Sequence, residues 1–296
     1  MQATARKSKR RGALAPYLFI APVIILLFVF NIAPLLVSFF ISLFDADISF
    51  NLTKFIGLGN FAEVFRDNRF YNSLSVTLKW TVVEVPCQLL IALLLAGLLT
   101  RNTVTNKLFR AIYFMPIVCS ATATGIMWKL ILHSNVGYIT YVLRIMGFGK
   151  INFMNTAGLT FYVIVFMSVW KTFGISTTIL IGAMQNVPTV LYEAADIDGC
   201  SRFRQFFCIT LPGIKSTLWF LIMTRIIGSF QVFDIVYTTT GGGPSLTTET
   251  LVTYIYTRGF EVFRMGYASA LSVVLLGLIL IITVIMYSAM LKGEKE

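Results

Sequence analysis

Six separate stretches of this chain are long and apolar: about Tyr17 to Leu43, Ser73 to Leu99, Phe109 to Leu132, Leu159 to Met184, Ser216 to Tyr237 and Tyr267 to Leu291. A helix needs roughly 20 apolar residues to cross the hydrocarbon core of a bilayer, so each stretch qualifies as a span. Composition agrees: 57% of residues are hydrophobic and 12% charged, against about 25% charged in an ordinary soluble domain, and the mean hydropathy is +0.80. The expected fold class is an all-α integral membrane protein with six transmembrane helices, which puts both termini on one side.

The distribution of basic residues decides which side. Thirteen Lys and Arg fall on the N-tail, the Arg101 to Arg110 loop, the Glu193 loop and the C-tail, and seven on the alternate loops around Lys54, Arg144 and Arg258. Cytoplasmic loops carry the excess, so both termini are expected in the cytoplasm. The same placement accounts for the net charge of +11. Arg6, Lys7, Lys9, Arg10 and Arg11 crowd the N-terminus, and no basic face interleaved with aromatics points to nucleic acid. The uncharged run from Gly12 to Phe44 is too long for a signal-peptide core and is followed by no small-residue cleavage site, so it reads as a retained first span.

One loop departs from this apolar pattern. Glu193-Ala194-Ala195-Asp196-Ile197-Asp198-Gly199 is acidic at the start of a short helix, and Gly199 can adopt the left-handed conformation that closes it. Ser201 then opens a second helix that Pro212 disturbs. The expected result is a helix-turn-helix elbow outside the bilayer. The order Glu193, Ala194, Ala195, Asp198, Gly199, Ile209, Leu211, Pro212 resembles the cytoplasmic loop motif of ABC importer permeases. In that family the first short helix docks in a groove of the ATP-hydrolysing subunit and transmits its movement to the membrane. Lys215 departs from the family pattern, which often has a second proline there.

Two further segments carry the resemblance towards carbohydrate permeases. Phe55-Ile56-Gly57-Leu58-Gly59-Asn60-Phe61, followed by Asp67, Phe70, Ser73 and Leu74, is similar to their first periplasmic loop; by itself it is an amphipathic surface segment with glycine turns. Phe230 to Tyr237, then Gly242-Gly243-Pro244, Thr250-Leu251 and Tyr254-Ile255-Tyr256, is similar to a later region. The resemblance implies a type I ABC importer permease fold: a basic cytoplasmic N-tail over residues 1–15 and a permease domain over 16–296, with its coupling loop at about 185–215. It also implies partners: a second homologous permease, a cytoplasmic ABC ATPase dimer, an extracytoplasmic solute-binding protein, and a sugar or oligosaccharide as cargo in a multi-pass cell membrane protein. ATP and Mg would be bound by the ATPase subunits, and no cofactor by this chain.

Enzyme signatures fall short. His133 sits at a helix end, Gly147, Gly149 and Lys150 lack the first glycine and the Ser or Thr of a phosphate-binding loop, and the four cysteines have no metal-site spacing. The informative residues are charges within spans, which cost at least ~2.5 kcal/mol at mid-bilayer and usually face a cavity or partner: Lys79, Glu84, Lys129, Lys171, Arg225 and Asp234. Lys79 and Lys129 are close enough to span ends to snorkel. Glu84 needs a partner outside its own helix or protonation. On one continuous helix Arg225 and Asp234 lie on opposite faces, about 13.5 Å apart along the axis, whereas Gln231 and Asp234 share a face flanked by Phe230 and Tyr237. Carboxylates and amides bond hydroxyls and rings cover apolar sugar faces, so Gln231, Asp234, Phe230 and Tyr237, with Trp170 and Lys171 as a second wall, are candidate pathway residues. A bundle-stabilising bond of Lys171 with Asp234 or with the paired subunit is the plainer reading. Glycerol phosphate or another polar solute is the alternative cargo, with Lys171 and Arg225 as anion partners, and an ion-coupled carrier using Glu84 and Asp234 is the alternative class.

Overall fold

The computed structural model describes residues 15–49, 51–100 and 103–293, so the basic cluster at Arg6 to Arg11 lies outside the described residues. The chain divides into two compact units, Met1–Arg66 with Ile255–Val274 and Asp67–Tyr254 with Leu275–Glu296. Among the described residues four helices are long and apolar enough to cross a membrane, and up to six if each of two bent helix pairs counts as one span.

In the first unit, helices α1 (Ala15–Leu27) and α2 (Ala33–Ile41) are joined by a π-helical turn, Phe28–Ile32. Pro34 has no N–H to donate, and the wider turn just before it absorbs that loss without breaking the helix. Beyond α2 comes a feature the all-α expectation lacked, an antiparallel hairpin of β1 (Phe44–Ala46) and β2 (Leu52–Phe55). Asp47 closes its turn by accepting from the Asn51 amide and from the Ser49 and Asn51 backbone N–H groups. Those bonds, led by the Asn51 side chain, hold its carboxyl below the usual carboxylate range. Helix α3 (Gly59–Val64) is fixed beside the hairpin by Asn60, whose buried amide donates to the Ser42 and Phe44 carbonyls at 2.8 and 2.9 Å. Glu63 pairs with Arg264 through both guanidinium nitrogens.

The second unit is built on α4 (Asn68–Leu99), which packs along α8 (Leu159–Gln185). Around them lie α5 (Val104–Val118), α6 (Ala121–Ile131), α7 (Tyr138–Ile145), α9 (Thr189–Ile197), α10 (Arg202–Gln205), α11 (Leu211–Gly213), α12 (Lys215–Phe230) and α13 (Asp234–Thr239). Helices α14 (Leu251–Tyr256) and α15 (Met265–Gly293) complete the chain. Lipid is as apolar as leucine, so helix association in a membrane depends on close packing and hydrogen bonds, and small residues mark where it occurs. A Cβ at Gly174 would lie 2.7 Å from the Tyr113 carbonyl oxygen, and one at Gly125 would fall on the Thr238 hydroxyl. Gly125 is therefore a site where α6 meets α13.

Two expected spans are not continuous helices. Between α5 and α6 the axis turns by 98°. Pro116 removes a backbone donor near the end of α5, Cys119 is extended (φ −70°, ψ 142°), and Ser120 caps α6 by accepting from Ala123 N–H. The stretch Ser216 to Tyr237 likewise ends as a helix at Phe230 and resumes at Asp234, Phe233 having φ −138° and ψ −64°.

Gly174→Leu should overpack the α5–α8 contact and destabilise the protein by about 1–3 kcal/mol. Gly182→Leu, on the same helix with nothing within 4 Å of its Cβ direction, is the control. Thermal melts of the purified variants check this, and equal melting temperatures would contradict the close approach.

Candidate functional site

Both candidate regions lie in the second unit. The first is the elbow. Helix α9 ends on Asp198, and Gly199 turns left-handed at φ +69° while Cys200 N–H returns to the Ala195 carbonyl at 2.8 Å. This is a glycine-closed helix end. Ser201 caps α10. The buried Gln205 then ties the two arms together, donating to Asp196 Oδ1 and to the Cys200 carbonyl, and the Tyr192 and Thr210 hydroxyls bond at 2.8 Å. A second π-helical turn, Phe206–Thr210, precedes Pro212 as the first precedes Pro34. The bend between Arg202–Gly213 and α12 is 70°, and α12 starts at Lys215 itself.

Of the motif residues, Glu193, Ala194, Asp198, Gly199 and Pro212 are exposed, whereas Ala195, Ile209 and Leu211 are half-buried. Ile209 packs on an apolar cluster with Val187, Ile214 and Leu221. The sequence reading passed over the apolar crown of this elbow: Ile197 is 87% exposed and Phe203 77%. Two large apolar side chains are thus held outward on a braced polar hairpin. Their signal in the sequence was an isoleucine and a phenylalanine among acidic and basic neighbours.

The second region is a polar layer between two apolar clusters. One cluster includes Val76, Trp80, Ile164 and Val236, and the other Ala92, Leu180, Ile214 and Leu221. Between them Arg225 Nη2 donates to Glu84 Oε1 at 2.9 Å and to the Thr172 hydroxyl at 3.2 Å. Gln88 donates to the Thr172 carbonyl and the Ser176 hydroxyl, and Thr81 bonds Ser229. Helices α4, α8 and α12 are thus cross-linked by one network. The Glu84 side chain is 2% exposed and that of Arg225 20%. This pairing supplies the outside partner that Glu84 required.

A cavity of about 220 Å³ opens beside this layer, lined by Trp80, Glu84, Lys171, Arg225, Gln231, Phe233 and Asp234 among others. Lys171, Gln231 and Asp234 therefore meet there as a group. Phe230, Tyr237 and Trp170 do not line it. Phe230 is buried in the bundle, Trp170 packs edge-on against Trp128 at 5.4 Å, and Tyr237 stacks on Phe233 at 5.1 Å. The shared face assigned to Gln231 and Asp234 presumed a continuous helix. Because the helix stops at Phe230, the phase resets: Phe233 takes the place expected for Phe230, and Arg225 faces the same cavity as Asp234. Among the described residues Lys171 bonds neither Asp234 nor another carboxylate but donates to the Cys119 carbonyl at 2.7 Å, the acceptor freed where α5 breaks. Lys79 and Lys129 are exposed. Among the described residues no group of three or more His, Cys, Asp or Glu is arranged to hold a metal.

Residues 56–291 match the model of the family described as binding-protein-dependent transport system inner membrane component. The chain is 34% identical over 282 residues to the trehalose/maltose transport system permease protein MalF of Thermococcus litoralis, covering 94% of each. It is 30% identical over 278 residues to the sn-glycerol-3-phosphate transport system permease protein UgpA of Escherichia coli O157:H7, again covering 94% of each. A chain in the crystal structure of a bacterial ABC transporter involved in the import of the acidic polysaccharide alginate superposes with a TM-score of 0.85 at 21% identity, over 97% of this chain and 98% of that one.

Removing one partner of a buried ion pair leaves an uncompensated charge and costs about 3–5 kcal/mol. Arg225→Gln should therefore be more destabilising than the double variant Glu84→Gln/Arg225→Gln. A double-mutant cycle by chemical denaturation in detergent checks this, and additive effects would show that the pair does not bind the layer together.

Proposed function

Because the chain belongs to the family of binding-protein-dependent transport system inner membrane components, we propose that it is the permease half of an importer for sugar or oligosaccharide. The observation that carries this reading is the presence, within one braced unit, of an elbow with an exposed apolar crown and of a polar cavity walled by Trp80 and Phe233. Likeness over nearly the full length to a trehalose/maltose permease supports the cargo class. The chain is a multi-pass membrane subunit and not the catalyst. It crosses six times with both termini in the cytoplasm, each bent helix pair counting as one crossing.

In this reading a second, homologous permease completes the pathway, an extracytoplasmic solute-binding protein delivers sugar, and a cytoplasmic ATPase dimer holds ATP and Mg. Glu193, Ala194, Ala195, Asp198 and Gly199 form the part of the elbow that the ATPase grips, with Ile197 and Phe203 as its anchors. Ile209, Leu211 and Pro212 carry the load into α12. Closure of the ATPase dimer on ATP pushes the elbow, rocks the bundle and opens the cavity outward. Hydrolysis resets it, each state being favoured by the ligand that binds it better. Gln231 and Asp234 bond sugar hydroxyls, Tyr237 backs the Phe233 ring, and Lys171 holds the wall beside Trp170; Phe230 anchors the end of α12.

A second reading, a permease for glycerol phosphate, is supported by the likeness to the glycerol-phosphate permease and by Lys171 and Arg225 beside the cavity.

Reconstituted with its partners, the importer should take up sugar only with ATP, and Ile197→Asp should cut ATP-driven uptake at least about tenfold. Because Ile197 is 87% exposed, the variant should melt like the parent. Uptake that survives ATP depletion but stops when ion gradients collapse would overturn the importer reading. Undiminished uptake by the variant would remove Ile197 from the coupling contact.

A further inference from the structure

Four ionisable side chains line the cavity, Glu84, Lys171, Arg225 and Asp234, and their formal charges cancel. Three of them are already engaged. Arg225 Nη2 is shared between Glu84 and Thr172, and Lys171 Nζ is bonded to the Cys119 carbonyl. The exposed Asp234 carboxylate makes no hydrogen bond to any described side chain.

An anion entering this space sheds hydration and finds one cation outside an ion pair, Lys171, which is tethered to the Cys119 carbonyl and offset by the Asp234 carboxylate on the same cavity. It meets the Asp234 carboxylate, and then a guanidinium neutralised by Glu84. Leaving a charge without a compensating partner is costly in a desolvated site, and a negative neighbour adds repulsion. A neutral polyhydroxylated ring fares differently. Asp234 accepts from its hydroxyls, the Gln231 amide donates and accepts, and the Trp80 and Phe233 rings offer apolar walls. A volume of about 220 Å³ is of the order of one such ring, so a longer glycan would present one unit at a time.

We propose that this cavity is a charge filter that accepts uncharged polyhydroxylated rings and turns away sugar phosphates and uronates, with Glu84 as the specificity-determining residue that keeps Arg225 from acting as an anion receptor. The inference rests on the sugar-permease reading and narrows it to neutral glycosides. It also separates that reading from the glycerol-phosphate alternative, in which Arg225 must be available to the substrate.

The test uses the assembled permease–ATPase complex without the binding protein, so that this site alone is read. Melting temperature is followed against a panel of neutral mono- and disaccharides, glucuronate and glycerol 3-phosphate. Neutral sugars should stabilise the parent complex and the two anions should not. Asp234→Asn and Glu84→Gln should each strengthen anion binding at least about tenfold, the expected scale for removing one nearby negative charge. Glu84→Gln/Arg225→Gln should return the site to rejecting anions. Should Glu84→Gln fail to assemble, the exposed Asp234→Asn variant carries the test. Stabilisation of the parent by either anion at concentrations no higher than the neutral sugars require would overturn the filter, as would unchanged anion binding in Asp234→Asn. If neutral sugars bind and the variants gain nothing, the filter fails and the sugar reading survives. If no neutral sugar binds, the filter and the sugar reading fall together, whether or not Asp234→Asn gains anion binding.

Discussion

The bond between Arg225 and Glu84 is the constraint around which the second unit is arranged. Two opposite charges at this depth can persist only together, since each alone would face an apolar interior. Their pairing fixes α12 against α4, and the shared contact with Thr172 fixes both against α8. Gln88 and Thr81 extend the same layer to Ser176 and Ser229. In a bilayer, where burial of apolar surface no longer drives helices together, such a layer sets which faces meet, and the apolar clusters on either side fill the space it defines. The cavity adjoins the layer because Arg225 and Glu84 form part of its wall.

The interruptions in the helices obey a related rule: every backbone group freed at membrane depth must find a partner in the protein. At the α5–α6 break the Cys119 carbonyl takes the Lys171 ammonium, so one contact satisfies an orphan acceptor and an otherwise unpaired cation. At the end of α12 the Val232 carbonyl accepts from the Thr250 hydroxyl. Pro34 and Pro212 are accommodated by π-helical turns directly before them, whereas Pro86 sits within the unbroken α4. A proline in a span thus leads to a wide turn, a break or neither, according to what neighbouring groups can supply.

Much of this was legible in the sequence because it depends on local chemistry. Apolar run length located the four long apolar helices and the two bent helix pairs, and Gly199 with Ser201 specified the elbow's turn, since a positive φ favours glycine and a capping hydroxyl marks a helix start. The Glu84–Arg225 bond was not legible. The two residues are 141 positions apart, and period arguments describe one helix at a time. The cavity's composition was partly misread for a different reason. Helical phase was extended from Arg225 through Tyr237, although the helix ends at Phe230, and a break of three residues is enough to exchange Phe230 for Phe233. The short hairpin at Phe44–Ala46 and Leu52–Phe55 lacked an alternating pattern and could not be told from a loop.

The elbow and the cavity are joined by contiguous packing. Val187, just before α9, and Ile214, just before α12, belong to the same apolar cluster as Leu221. A Cβ at Gly213 would lie 3.0 Å from Val187, so the two arms meet backbone to side chain with no slack. The Tyr192–Thr210 and Gln205–Asp196 bonds brace the arms further. In the proposed importer, a force on the crown at Ile197 and Phe203 would pass through this packing to the base of α12. Arg225 lies ten residues along that helix, about 15 Å from its start, and is held there by Glu84. Motion of the elbow must then either carry α4 along with α12 or strain the ion pair. Because separating a buried ion pair leaves each charge uncompensated, the proposed coupling requires the two helices, and the cavity wall they share, to move together.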